Sequence, residues 1–164
     1  MRKLFIYVIG IFLLGSCSSM KVANMRIDNE EYVFESTGKN VSVSTTKEFK
    51  AKLFKVEDYN QALIESIEYS KIFSVNPANA DYNITATLTH WFQPPFGFEF
   101  HTDLRVRYIV KNQDNVLFDK ELESNSVAYF KDAFSGPKRS IISFERAVKQ
   151  NIEMFIDEIS TMEF

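Results

Sequence analysis

The sequence predicts an α+β fold: a two-layer sandwich with a mainly antiparallel sheet in β-α-β-β-β-α order and two helices packed on one face. Three observations lead there. Between residues 82 and 122, three segments alternate apolar and polar side chains with period two, as in a sheet with one buried and one wetter face. Two further segments, one before and one after these, space their apolar residues by three and four, as amphipathic helices do. The chain also holds 16 phenylalanines against 5 glycines and 4 prolines, the composition of a packed globule and not of a disordered stalk.

The elements follow in chain order. Glu31-Tyr32-Val33-Phe34-Glu35 and Val41-Ser42-Val43-Ser44-Thr45 flank Gly38. Both are short and rich in β-branched or aromatic residues, so both read as strands, the first an extra one at the front. From Val56 the period changes. Tyr59, Leu63, Ile67 and Ser70 share one helical face of a segment reaching Phe73. Glu57, Asp58 and Glu65 suit the helix start or its wet side, and Lys71 suits the C-terminal dipole. Asn76-Pro77 and Ala78-Asn79 stop it.

Three strands come next. Tyr82, Ile84, Ala86 and Leu88 point one way, with Asn83, Thr85, Thr87 and Thr89 opposite. Leu104, Val106, Tyr108 and Val110 alternate with Arg105, Arg107 and Lys111. Val116, Phe118 and Leu122 follow a polar turn, Asn112-Gln113-Asp114-Asn115, which makes the last two strands a hairpin. The Thr-rich and Arg-rich sides face solvent or a partner. Finally Ile141, Phe144, Val148, Ile152, Phe155 and Ile159 form one continuous apolar stripe. Pro137 fits the first turn of that helix, where its missing N–H costs nothing. Burying each of these side chains is worth roughly 1.5–3 kcal/mol, so this helix should be a main wall of the core.

The first residues carry a different signal. Met1-Arg2-Lys3 precede an uncharged run from Leu4 to Leu14, matching the basic and apolar parts of a secretory signal peptide. The run is short of the roughly 20 apolar residues of a membrane-spanning helix. It ends in Leu14-Gly15-Ser16-Cys17-Ser18, which resembles the lipobox of bacterial lipoproteins: a branched apolar residue, two small residues, then cysteine. That resemblance implies removal of residues 1–16, a diacylglycerol thioether on Cys17 and acylation of its new amino group. Cys17 is the only cysteine; an unpaired one in an exported chain needs an explanation, and lipidation supplies it. In lipoproteins of enterobacterial type, serine after the cysteine permits transfer to the outer membrane, so Ser18 implies that membrane, facing the periplasm.

Three parts are then expected: a signal peptide over 1–16, a lipidated cysteine and short polar tether over 17–30, and one globular domain over 31–164. About 150 mature residues comfortably build one core. The element order on such a precursor resembles the small periplasmic lipoproteins of the YajG-like group and the auxiliary lipoproteins of envelope transport and assembly. The net charge of the chain is −3 and the signal is basic, so the mature part is more acidic still. It offers no global electrostatic basis for binding nucleic acid.

The sequence carries no catalytic signature: no G-x-S-x-G, Walker loop, H-E-x-x-H or C-x-x-C occurs, and the lipobox resemblance commits the one thiol to lipid. No enzyme activity and no cofactor beyond the covalent lipid is expected. His90 and His101 flank a turn, Pro94-Pro95-Phe96-Gly97. Symmetric closure would set them opposite each other with Asp103 near, a weak zinc or copper set against ordinary surface contacts. Trp91, Phe92, Phe96, Phe98 and Phe100 crowd that hairpin; they either complete the core or mark a partner or membrane contact. Lys138 and Arg139 at the start of the last helix either bind an anion or accompany ordinary capping. Two functions remain: an accessory or structural envelope lipoprotein that binds a protein partner, or one that binds a small ligand or lipid between sheet and helices.

Overall fold

In a computed structural model, residues 19–50 and 54–164 are described. The signal segment and Cys17 lie outside the described residues. The elements are α1 (Val22–Met25), a 3-10 turn at Glu30–Tyr32, β1 (Lys39–Lys47), α2 (Val56–Ser70), β2 (Phe73–Val75), a second 3-10 turn at Pro77–Asn79, β3 (Tyr82–Phe92), β4 (Phe100–Asn112), β5 (Asn115–Ala128) and α3 (Gly136–Ser160). Five strands form one sheet in the order β2-β1-β3-β4-β5, and α2 and α3 cover one of its faces. The two-layer α+β sandwich is the observed architecture.

The long pairings are antiparallel: β3 with β4 and β4 with β5. The turn between β4 and β5 falls where expected, with Asn112 opposite Asn115 and Gln113 at φ 51°. β1, however, runs parallel to both β2 and β3. A strand whose chain returns through a helix re-enters the sheet in the same direction, and α2 is that return. Two local expectations need correction. Glu31–Glu35 is no strand; Glu30–Tyr32 forms a 3-10 turn instead. The helix stops at Ser70, with Lys71 left-handed at φ 62°, and Phe73 opens β2.

The core lies between the layers. Ile84, Ala86 and Leu88 of β3 and Leu104, Val106, Tyr108 and Val110 of β4 point inward, all essentially inaccessible. They meet Phe144, Val148, Ile152, Phe155 and Ile159 of α3 and Tyr59, Leu63 and Ile67 of α2. Ile141, nearer the helix start, is half-buried.

The expected tether is mostly not a tether. Met25 and Ile27 are fully buried against α2 and α3. The Lys21 N–H and the Asn24 amide both donate to the Glu145 carboxylate at 2.7 Å. The Ile27 N–H donates to Ser66 Oγ at 3.0 Å, and Arg26 pairs with Glu65 at 2.8 Å. Two neighbouring helices leave an apolar seam along their outer side, and this segment covers it. The domain therefore begins near Met20, ahead of residue 31.

Candidate functional site

At one end of the sheet, the β3–β4 and β5–α3 connections lie side by side. A bulge at Thr89 shifts the register of β3 against β4, so His90 faces Arg105 and Phe92 faces Asp103. His101 instead sits opposite Val127 of β5, with its Nε2 3.5 Å from Glu99. The hairpin does not close symmetrically, and the histidines do not pair. Among the described residues no cluster of three or more His, Cys, Asp or Glu is placed to hold a metal. The pairs nearest the tip, His90 with Arg105 and Phe92 with Asp103, centre the connection between residues 97 and 98, beyond the middle of the Pro94–Gly97 turn, and this offset undoes the symmetric count.

The five aromatics of this hairpin divide between two roles. Trp91 packs against Phe49 and Phe144, with ring centres 6.1 and 6.2 Å away, and Phe100 is buried. Phe92, Phe96 and Phe98 stay exposed. Gly97 permits the sharp path between them, because a Cβ there would lie 2.8 Å from the Glu99 carbonyl oxygen.

The neighbouring connection adds Tyr129, Phe130 and Phe134, all exposed, with the last two rings edge-on at 5.4 Å. Arg139 holds the two connections together. Its guanidinium donates to the Ala133 and Phe134 carbonyls at 2.9 and 2.8 Å and to the Gly97 carbonyl at 3.5 Å. It also lies over the Phe100 and Phe130 rings, a favourable cation–π arrangement. Arg139 is buried and so is not an anion contact. Its donors point inward because loop carbonyls surround it. The helix start is closed as well: the Lys138 N–H goes to the Ser135 hydroxyl, which caps α3. Of the two cations, Lys138 is the exposed one. Asp132 pins the loop by accepting from Arg146 and from the Tyr129 N–H. Those donors, the Arg146 side chain foremost, pull its carboxyl down to about 2.

The second surface is the open face of the sheet. There Ser44 meets Thr85 at 3.3 Å, Thr46 meets Thr87 at 3.2 Å, and Thr89 donates to Glu121 at 2.7 Å. Arg105 pairs with Glu123 at 2.8 Å, and Arg107 makes two bonds to Asp119 at 2.7 Å. The Thr-rich and Arg-rich sides seen in the sequence thus share one wet face, with Ile109 between Thr85 and Asp119. Beyond it, the 14-residue β5 forms an edge of the sheet.

The interior is filled. Tyr59, Tyr108 and Asn151 are fully buried and link α2, β4 and α3. Tyr59 and Tyr108 share a hydroxyl–hydroxyl bond, Tyr108 donates to Asn151 at 2.9 Å, and Asn151 donates to the Leu122 carbonyl at 2.9 Å. Burial pushes both phenols well above their usual value. They stay protonated in the fold, so their stabilisation is complete below about pH 10, where an unfolded tyrosine ionises, and is lost above it. Urea stability should therefore fall steeply above about pH 10, and Tyr59→Phe should make that fall shallower. A pH profile flat to strong alkali would contradict this. The clefts at Tyr82 and Asn112–Asn115, about 460 Å³, and beside Phe98 and Phe130, about 350 Å³, are both open to solvent.

Sequence periodicity did not reveal Arg139 as a brace or Phe130 and Phe134 as partners of Phe96 and Phe98. The signal available was a loop with three aromatics ahead of Gly136-Pro137. Among the described residues, no helix is long and apolar enough to cross a membrane.

No protein-family model matches the chain, and no curated protein matches it. Solved structures do. A Xanthomonas campestris protein of the DUF330 family superposes with TM-score 0.58 at 10% identity, over 80% of this chain and 88% of that one. A hypothetical protein of Chlamydia trachomatis gives 0.57 at 8% identity, over 76% and 96%. A minor lipoprotein of Acinetobacter baumannii gives 0.51 at 12% identity, over 74% and 92%. At these identities the likeness establishes a shared fold, one that bacterial lipoproteins also use.

Proposed function

We propose that this chain is a bacterial envelope lipoprotein, acylated on Cys17, whose domain binds a protein partner and performs no catalysis. The lipobox-like Leu14-Gly15-Ser16-Cys17 and the lipoprotein among its structural neighbours support the anchor. Ser18 favours the outer membrane, periplasmic side. Covalent lipid is the only attached group this reading requires.

One observation carries the choice between partner and ligand: the sheet–helix interface is packed with side chains that are essentially inaccessible, from Ile84 and Leu104 to Phe144 and Phe155. A ligand-binding lipoprotein would keep a deep apolar pocket there. What remains for recognition is outside, on the open face and the β5 edge, where main-chain groups can accept an added strand. A photo-reactive residue in place of Ile109 should crosslink one protein species in intact cells, and the same residue at Gln150 on α3 should not. Affinity purification from the native membrane should recover that species stoichiometrically. Recovery of lipid alone would sink the partner reading. Cys17→Ala should move the protein from the membrane to the soluble periplasmic fraction, since several acyl chains are needed for firm anchoring.

A further inference from the structure

Four phenylalanines project from the end of the domain where α3 begins. Phe96, Phe98 and Phe134 are 84, 85 and 84% exposed, and Phe130 is about half exposed. Rings this apolar gain by leaving water, and a cluster of them marks a contact surface. The cluster is held in place. Arg139, buried beneath it, ties the Gly97 carbonyl of one connection to the Ala133 and Phe134 carbonyls of the other. Phe98 and Phe130 line one shallow depression with Lys131.

The chain's own path says what covers this end. Residues 21–32 travel alongside α3 in the direction of α3: Lys21 meets Glu145, and Asp28 meets Lys149. Followed backwards, the chain heads for the first turn of α3. Glu145 stands about 15 Å along the helix axis from Ser135 and about 22 Å from Ser160, at 1.5 Å per residue. The four residues from Lys21 back to Cys17 span at most about 14 Å. That length of chain is comparable to the distance from Glu145 to the start of α3, where the phenylalanines lie, and well short of the distance to its end. Lys131 and Lys138, both exposed, flank the rings, and cations beside apolar groups suit an anionic lipid surface.

We infer that Phe96, Phe98, Phe130 and Phe134 rest in the interfacial layer of the membrane that carries Cys17, with the strands standing off the bilayer. This rests on the lipoprotein reading. It makes the anchor two-part, acyl chains plus aromatic end, and it leaves the open face and the β5 edge free for a protein.

The test uses the acylated protein in protein-free vesicles of phosphatidylethanolamine and phosphatidylglycerol. Mass spectrometry first establishes whether Cys17 is acylated. Because no other thiol exists, Lys131→Cys and Asp114→Cys can each be labelled with an environment-sensitive nitrobenzoxadiazole. The Lys131 label should shift to the blue and be quenched by doxyl lipids, while the Asp114 label, at the far turn, should do neither. Changing Phe96, Phe98 and Phe134, each more than four-fifths exposed, to serine should abolish the Lys131 signal without lowering the thermal midpoint. An acylated protein whose Lys131 label is quenched no more than the Asp114 label overturns the inference and assigns the aromatic end to a protein partner. An unacylated Cys17 overturns the lipoprotein reading and this inference together.

Discussion

Phe155→Ala should unfold at a much lower urea concentration than the parent protein. Phe155 is fully buried on α3, stacked on Tyr108 at 4.1 Å with the rings 5° from parallel, and edge-on to Phe118 at 5.9 Å. Truncating such a ring removes its transfer free energy and leaves a cavity, together about 3–5 kcal/mol. A domain of this size is stable by only about 5–15 kcal/mol. With a urea dependence of about 1–3 kcal/mol per molar, the midpoint should drop by about 2 M at unchanged slope. The single tryptophan, Trp91, packed between Phe49 and Phe144, reports the transition directly. A loss below about 1 kcal/mol would mean the wall of the core is not where these contacts place it.

Asn151→Leu should cost about 2–6 kcal/mol although it keeps the number and branching of the side-chain heavy atoms. The Asn151 amide N–H bonds to the Leu122 carbonyl, which fixes its oxygen as the acceptor for Tyr108. The Tyr108 oxygen is then left to accept from Tyr59. Leucine strands the Tyr108 hydroxyl and the Leu122 carbonyl in a dry interior, at about 1–3 kcal/mol each. The double change Asn151→Leu with Tyr108→Phe removes one of the stranded groups. Its cost should fall short of the sum of the single costs by about 1–3 kcal/mol. Strict additivity in that cycle would show that the three side chains do not act as a network.

Much of the fold was legible because it is encoded locally. The β3-β4-β5 alternation, the turn at Asn112–Asn115 and the apolar stripe of α3 each follow from spacing within one segment. The parallel pairing of β1 was not legible, since its β3 partners lie about 40 residues away and no local pattern within a strand distinguishes parallel from antiparallel addition. β2 was hidden because Phe73 continues the apolar rhythm of α2 without a visible break; only the left-handed Lys71 separates them. The burial of Met25 and Ile27 was not legible for a related reason. It is set by the seam between two helices, not by a period of their own.

The candidate site was half legible. Aromatic clustering at 91–100 identified a distinctive hairpin, but left open whether its rings complete the core or stay outside; Trp91 and Phe100 are packed inward and Phe92, Phe96 and Phe98 are exposed. Which rings turn inward depended on the bulge at Thr89, and a bulge has no dependable sequence signature when no glycine marks it. Arg139 was misleading for a chemical reason: a cation at a helix start suggests an anion, but guanidinium donors are equally served by backbone carbonyls. Phe130 and Phe134 are tied to the hairpin by that interior arginine, across a sequence separation that no local pattern reports.

The two borders of the sheet are unequal, and this limits how copies of the protein can associate. β2 offers only three residues and is followed at once by Pro77, too little for stable strand addition. β5 offers fourteen, and its Asp119, Lys120, Glu121 and Glu123 are the charged residues that discourage indiscriminate pairing. Two copies joined through β5 would use up the one long border each possesses. Edge-wise growth then terminates at a pair, because the outer borders of that pair are both β2. The fold is in this way protected from stacking into an open-ended ribbon.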